Sequence, residues 1–253
     1  MTTNGRIAAI SLRGVSKRFD KRGSLRVLAV DNIDLDVCSG SMVALLGKTG
    51  CGKSTIFNLI AGLTEPSGGV IEVEGRNPFS EFNQLRGMIA VVFQNDRLLP
   101  WRSAMGNVEA GLEILHIPAA ERRQKAQLWL TILGLTGHEH NFPHALSGGM
   151  RQRVAIARAC ATDANILLCD EPFSALDEMT ANRLRTEFLN LVKANGKTAI
   201  FITHSISEAL QIGDRVVVLK RPAQIALDIK LDRTGAAQDL KLVRGEIEQI
   251  LAV

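Results

Sequence analysis

The segment GKTGCGKST, residues 47–55, directly follows the apolar run VALL. It matches the pattern G-x-x-x-x-G-K-[ST], in which glycines let the backbone turn so that successive N–H groups point at phosphate oxygens. The apolar run before it predicts a buried strand, and KSTIFNLIAGL after it shows the apolar spacing of a helix. A helix start adds the positive end of its dipole to such a loop. The alternative is a flexible glycine-rich turn with a solvated lysine.

The whole loop is predicted to bind the phosphates of a nucleotide with its Mg²⁺. Lys53 would reach the β- and γ-phosphates of ATP, and Ser54 would ligate Mg²⁺. Cys51 would be open to solvent before ATP binds and quick to alkylate, since it stands beside a lysine at a helix start. The predicted phosphate-loop residues are Gly47, Lys48, Thr49, Gly50, Cys51, Gly52, Lys53, Ser54 and Thr55.

A second candidate element is NILLCDEP, in which a short apolar strand ends in Asp170 and Glu171. Open α/β sheets bind ligands at the carboxyl ends of their strands. Asp170 would hold Mg²⁺ directly or through water, and Glu171 would accept a proton from the attacking water. The alternative is a solvated acidic loop. Together the two elements indicate a P-loop nucleotide hydrolase or kinase.

The segment LSGGMRQR, residues 146–153, predicts another anion site at a helix start. Ser147 is a good N-cap residue, and Gly148 and Gly149 leave the backbone bare. A chain with two phosphate sites and one P-loop would use both in a head-to-tail dimer. Each nucleotide would then lie between the P-loop of one copy and the Ser147 loop of the other.

With these motifs in order, nearly the whole chain resembles the nucleotide-binding subunit of an ATP-binding cassette (ABC) transporter. The resemblance implies an α/β fold, with a P-loop nucleotide hydrolase core, an antiparallel β subdomain and an inserted helical subdomain. We expect one ABC ATPase domain over residues 1–253. About 1–95 and 161–253 would form the core and the β subdomain, and about 96–160 the helical subdomain with the signature motif.

The same resemblance implies roles for three further residues and for SALD, residues 174–177, which would contact a partner subunit. Phe19 would stack on adenine, Gln94 would sense the γ-phosphate and contact Mg²⁺ and water, and His204 would contact the γ-phosphate. Their alternatives are a core aromatic, a surface polar residue at a strand end, and a structural histidine. The predicted catalytic residues are thus Glu171, His204 and Gln94, and the predicted metal ligands Ser54, Gln94 and Asp170.

The segment LLPW, residues 98–101, is similar to cassette subunits in importers of nitrate, sulfonates, taurine and related small organic compounds. In the family this region lines a groove that takes a short helix from the membrane permease. Trp101 would be the anchor of that contact, or else it packs inside the helical subdomain. The resemblance also shows a departure, since Ser205 stands where Asp is common.

The coarse pattern alternates strands and helices. Strands are expected near 7–13, 28–36, 43–47 and 70–74, and SGGVIEVEG suggests an antiparallel hairpin. A helix should follow Pro118 and end near Gly134. A C-terminal helix would carry one apolar stripe, formed by Leu240, Val243, Ile247 and Ile250.

The bulk composition bears on location and partners. A net charge of +4 is too mild to indicate nucleic acid, and apolar runs fall far short of the ~20 residues of a membrane span. The N-terminus has no extended apolar stretch followed by a small-residue cleavage site, so no signal peptide is expected. The four cysteines form no C-x-x-C pair, so reduced thiols in a cytoplasm are expected.

We therefore expect a cytoplasmic chain, peripheral on the inner face of the cell membrane. Its partners would be a second cassette subunit in a homodimer or a pair with a similar subunit, an integral membrane permease and, indirectly, a substrate-binding protein. Two alternatives stay open. A soluble cassette protein acting on DNA or ribosomes usually carries two cassettes or a long coiled-coil insertion. A small-molecule kinase would leave LSGG and SALD unused.

Overall fold

The computed structural model describes residues 8–21, 24–231 and 237–252. These residues divide into two compact units, Met1–Leu85 with Gly196–Val253, and Arg86–Asn195. Residues 1–7 lie outside the described part. They include the start of the segment in which no signal peptide is expected, and residue 7 of the first expected strand. The expected boundaries of the helical subdomain, near 96 and 160, stay predictions.

Nine strands and seven α-helices are described, with bounds as follows. The strands are β1 (Ala8–Lys21), β2 (Ser24–Cys38), β3 (Met42–Gly47), β4 (Gly68–Val73), β5 (Ile89–Val92), β6 (Ile166–Asp170), β7 (Thr198–Thr203), β8 (Arg215–Lys220) and β9 (Gln224–Lys230). The helices are α1 (Lys53–Ile60), α2 (Ala104–Ile114), α3 (Ala119–Ile132), α4 (Gly148–Ala161), α5 (Glu178–Ala194), α6 (Ile206–Ile212) and α7 (Ala237–Ala252). Short 3₁₀ turns cover Phe82–Leu85 and Pro143–Ala145.

The first unit contains an antiparallel sheet in the order β2-β1-β4. The apolar alternation of β4 is real, since Ile71 and Val73 are buried while Val70 and Glu72 are exposed. The expected local hairpin is wrong. β4 pairs with the distant β1, with Val73 opposite Ile10. The chain after β4 forms only a single antiparallel bridge with it, between Val73 and Arg76.

The same unit holds the strands that position the P-loop, in the order β7-β3-β8-β9. β3 pairs in parallel with β7 and β8, and every residue of β3 and β7 is buried. Such continuous burial is expected of parallel strands, whose two faces are both covered. Helices α6 and α7 pack on this sheet, and Ile247 of the predicted C-terminal stripe is fully buried against Ala44, Leu46 and Val216. Leu240, at the start of the stripe, is 40% exposed.

The second unit combines the parallel pair β5–β6 with the helices α2, α3, α4 and α5. α3 begins after Pro118 and ends at Ile132, close to the predicted bounds. Helices α2, α3 and α4 pack on one another, with Leu112, Leu130 and Val154 at most 1% exposed. None of the described helices is both long enough and apolar enough to cross a membrane.

Candidate functional site

The predicted phosphate loop joins β3 to α1. β3 ends at Gly47, and α1 begins at Lys53 with Gly52 as its N-cap in a left-handed conformation (φ 111°). The apolar residues of α1, among them Ile56 and Leu59, are fully buried and fix the helix. Between the two elements the backbone N–H of Cys51 donates to the carbonyl of Lys48 (3.2 Å), which closes a tight turn.

Lys53 lies inside this loop. Its Nζ donates to the carbonyl oxygens of Gly47 (2.7 Å) and Lys48 (3.0 Å), and the residue is only 5% exposed. A buried ammonium needs such partners, and two of its three N–H groups are directed at the loop. Lys48, Thr49, Gly50 and Ser54 are exposed, and Thr55 is half-buried. The loop therefore presents backbone and hydroxyl groups outward with a positive charge held beneath them.

The loop tolerates only glycine at two positions. A Cβ at Gly52 would lie 2.4 Å from the carbonyl oxygen of Ala29 and 2.7 Å from Cβ of Ala223. A Cβ at Gly47 would lie 2.7 Å from Sγ of Cys51. These close approaches explain both glycines of the pattern by packing, and the left-handed backbone of Gly52 adds a second reason there.

The prediction that Cys51 is open to solvent is wrong. Cys51 is 3% exposed, because the turn that bonds its N–H to Lys48 folds the side chain inward against Gly47. The thiol therefore lies on the packed side of the loop. Only its backbone remains a candidate for phosphate contact.

His204 follows the end of β7. Leu46 of β3 and Thr203 of β7 are register partners in adjacent parallel strands, so the P-loop and His204 leave the sheet at the same edge. His204 is exposed, whereas the residue before it is 1% exposed. A residue that contacts a nucleotide bound to the loop has to lie at this edge of the sheet.

Phe19, the predicted adenine-stacking residue, lies on β1 and is 42% exposed, which excludes the core alternative. The Nζ of Lys17 lies 5.1 Å from its ring centroid and donates to the carbonyl of Glu65 (2.7 Å). The ring is therefore held by a cation on one face.

In the second unit, the ends of β5 and β6 bring Gln94 and the acidic pair together. Val92 and Cys169 are register partners, so the residues after them emerge at one edge. The Nε2 of Gln94 donates to Oε2 of Glu171 (3.4 Å). Asp170 is 8% exposed, and Glu171 adopts a positive φ of 46° that is costly for a residue with a side chain.

Neighbouring groups hold Glu171 and the strand beneath it. The carbonyl oxygen of Glu171 accepts from the N–H (3.2 Å) and Oγ (2.9 Å) of Ser174, the first residue of SALD. Burial raises the pKa of the Cys169 thiol well above its ordinary value, so this cysteine acts as a small apolar residue.

The signature segment starts α4 as predicted. Oγ of Ser147 accepts from the backbone N–H of Met150 (3.2 Å), and the helix begins at Gly148. A Cβ at Gly149 would lie 2.9 Å from Cδ2 of Leu176, so the start of the helix packs closely on the SALD loop. Asp177 of that loop caps α5, and hydrogen bonds from Thr180 lower the pKa of its carboxyl.

Sequence reasoning missed a set of bonds between α4 and the loop after Gln94. Arg151 Nε lies 3.0 Å from Oδ2 of Asp96, and the Arg158 guanidinium donates to the carbonyls of Asp96 and Arg97 (both 2.8 Å). The two arginines are seven residues apart and thus on one helix face, a signal that could have indicated a shared target. The loop that carries Gln94 is therefore tied to the signature helix.

Trp101 is 71% exposed, so the alternative that it packs inside the helical subdomain is wrong. The turn that presents it is rigid. Asn107 is fully buried, and its amide accepts from the N–H of Leu99 (2.7 Å) and donates to the carbonyls of Leu99, Arg102 and Ser103 (3.0–3.1 Å).

A parallel strand, a glycine-rich loop with an enclosed lysine and a following helix define a P-loop nucleotide hydrolase. The family profile described as ABC transporter matches residues 30–174. The chain belongs to the ABC transporter family, as its ATP-binding subunit.

Similar proteins agree with this assignment. The taurine import ATP-binding protein of Yersinia pestis is 43% identical over 205 residues, 81% of this chain and 79% of that protein. The nitrate import ATP-binding protein of Synechococcus elongatus is 40% identical over 90% of this chain and 35% of that longer protein. A solved dimeric ATP-binding cassette, in a post-hydrolysis state with ADP and phosphate, has a TM-score of 0.83 and 32% identity over 88% of this chain and 99% of its own.

These findings confirm the predicted family and fold class. The chain has the α/β fold of the cassette ATPases, and it binds and hydrolyses ATP. The roles of individual residues stay predictions.

Proposed function

We propose that the chain powers a membrane importer for taurine, nitrate, a sulfonate or a related small organic compound. The observation that carries the import role is the exposed Trp101 on its rigid turn. An exposed indole on a turn whose neighbouring backbone groups bond to a buried asparagine is a suitable anchor for a partner helix, since the turn loses little conformational freedom on binding. The 40–43% identity to taurine and nitrate import cassettes supports the substrate class.

In the ATP-bound state, the predicted site residues have the following roles. Lys53 neutralises the β- and γ-phosphates, the loop's N–H groups surround them, and Phe19 stacks on adenine. Glu171 accepts a proton from the attacking water, while Gln94 and His204 contact that water and the γ-phosphate respectively. The bond from Gln94 to Glu171 supports a shared position for these two side chains.

Mg²⁺ suits the donors that Ser54, Gln94 and Asp170 supply. All three offer oxygen atoms, and Mg²⁺ in nucleotide sites is held by one or two protein groups together with phosphates and water. Among the described residues no cluster of three His, Cys, Asp or Glu side chains could hold a metal alone. An ion that arrives with the nucleotide needs no such cluster. Bound there, Mg²⁺ offsets the charge that develops on the phosphates.

The active unit in this proposal is a dimer. Ser147, Gly148 and Gly149 of one copy would face the nucleotide held by the P-loop of the other, as the bare helix start of α4 allows. The dimeric state of the similar ADP-bound cassette supports this arrangement. The dimer would sit on the cytoplasmic face of the membrane against its permease, to which a substrate-binding protein delivers the solute.

Uptake by cells that lack the chain tests the import role. We expect loss of uptake of one compound among taurine, nitrate and alkanesulfonates, with the other two unaffected. Wild-type protein should restore uptake, and Glu171→Gln should not. Normal uptake of all three would contradict import of taurine, nitrate or a sulfonate.

A further inference from the structure

Three residues around His204 are linked by one bond between side chains and by two bonds from a backbone N–H to a side-chain oxygen. Thr203 Oγ1 donates to Glu208 Oε2 and accepts the backbone N–H of Ser205 (3.0 Å). Ser205 Oγ in turn accepts the N–H of Glu208 (3.3 Å) and so caps α6. We call Thr203, Ser205 and Glu208 the His204 bracket.

Two of the three bracket residues are buried. Thr203 is 1% exposed and Glu208 9%, while His204 between them is exposed. Thr203 is the last residue of β7 and the register partner of Leu46 on β3. One end of the bracket is therefore fixed to the strand that leads into the P-loop.

The bonds leave little freedom at His204. A single hydroxyl serves both Glu208 and the N–H of Ser205, so its orientation is determined from both sides. The carbonyl of Ser205 accepts the N–H of Ala209 (3.0 Å), which anchors the far side of the turn in α6. A buried carboxylate needs donors, and the Thr203 hydroxyl is one that a valine of the same shape would not replace.

We infer that Thr203 and Glu208 are positioning residues that set the place of His204 at the γ-phosphate. The inference rests on the proposed role of His204. Neither residue touches the nucleotide; both act through the backbone of the turn. Small displacements of a catalytic side chain reduce rates strongly, so a loosened turn should affect turnover more than binding.

Thr203→Val tests the inference, with Thr203→Ser as its matched control. Valine keeps the volume and removes the hydroxyl, whereas serine keeps the hydroxyl. In the full-length chain with Mg-ATP we expect kcat to fall about tenfold or more in Thr203→Val, with KM for ATP changed by less than about twofold. Thr203→Ser should stay close to wild type.

A second readout does not depend on turnover. With histidine labelled with ¹³C at Cε1, the chain gives five NMR signals, and His204→Ala identifies the relevant one. Thr203→Val should shift or broaden that signal and leave the other four in place, and Thr203→Ser should leave all five unchanged. If Thr203→Val does not fold, Ser205→Ala is the second variant, since Ser205 is half-buried. It removes the bond from the Glu208 N–H to Ser205 Oγ and should change the same signal.

The outcomes separate the two claims. An unchanged His204 signal with unchanged kcat in Thr203→Val, or in Ser205→Ala where that variant is needed, would overturn the bracket. Full turnover in His204→Ala would instead overturn the proposed role of His204. Loss of turnover in His204→Ala with a fully active, folded Thr203→Val would leave that role standing and remove the bracket.

Discussion

Gly52→Ala places a methyl group where the neighbouring backbone leaves no room for one. The new Cβ would lie 2.4 Å from the carbonyl oxygen of Ala29 and 2.7 Å from Cβ of Ala223, at a φ of 111°. The left-handed backbone costs a residue with a side chain roughly 1–2 kcal/mol, and forcing atoms into a packed site adds roughly 1–3 kcal/mol. We therefore expect a loss of about 3–4 kcal/mol in the free energy of unfolding.

Gly50→Ala separates the two contributions. Gly50 also has a positive φ, 78°, but nothing lies within 4 Å of the added Cβ. It should cost only the conformational part, about 1 kcal/mol or slightly more. At roughly 2–4 °C per kcal/mol for a chain of this size, melting without nucleotide should fall by about 10 °C for Gly52→Ala and about 3 °C for Gly50→Ala. Equal shifts in the two variants would refute the packing argument.

The remaining predictions address the partner surface, the thiols and a helix cap. Trp101→Ala should weaken capture by the permease by about 2 kcal/mol or more, while ATP binding and the melting temperature stay unchanged. Leu128→Ala, which removes an exposed side chain on α3, should change neither capture nor the melting temperature. A lower melting temperature with intact capture in Trp101→Ala would contradict this. Maleimide should label the half-buried Cys38 before the three buried cysteines, as peptide mapping would show, and fast labelling of Cys51 would contradict its burial. Asp177→Ala should lower the melting temperature at pH 7. Hydrogen bonding lowers the pKa of Asp177, so the ionised carboxylate stabilises the folded chain at neutral pH. This stabilisation is lost as the pH falls below about 4, where the melting temperatures of the variant and the wild type should converge.

The placement of the predicted site residues followed from strand ends. Gln94 follows the apolar strand β5 and Asp170 ends its parallel neighbour β6, while His204 follows β7, the parallel neighbour of β3. Within each pair, parallel strands bring the residues at their carboxyl ends to one edge. The cap at Ser147 was equally readable, since the hydroxyl and the helix start are adjacent in sequence. Local chemistry and strand direction were enough for these positions.

Features that depend on contacts formed only in the folded structure could not be predicted from the sequence. The partner of β4 is β1, more than fifty residues away, and alternation alone cannot name a distant partner. The inward turn of Cys51 depends on a backbone bond to Lys48. The bond from Thr203 to Glu208 joins an apolar strand to a helix, and no sequence pattern indicates it.

We expect the chain to hydrolyse ATP as a dimer in which Glu171 acts as the base. Glu171→Gln keeps the side-chain shape and an oxygen that can accept from Gln94, but removes the basic group. Size-exclusion chromatography with light scattering, in Mg-ATP, should show this variant as a dimer that retains unhydrolysed ATP, with steady-state hydrolysis lost. A variant that stays monomeric in ATP, or that turns ATP over at the wild-type rate, would contradict the account.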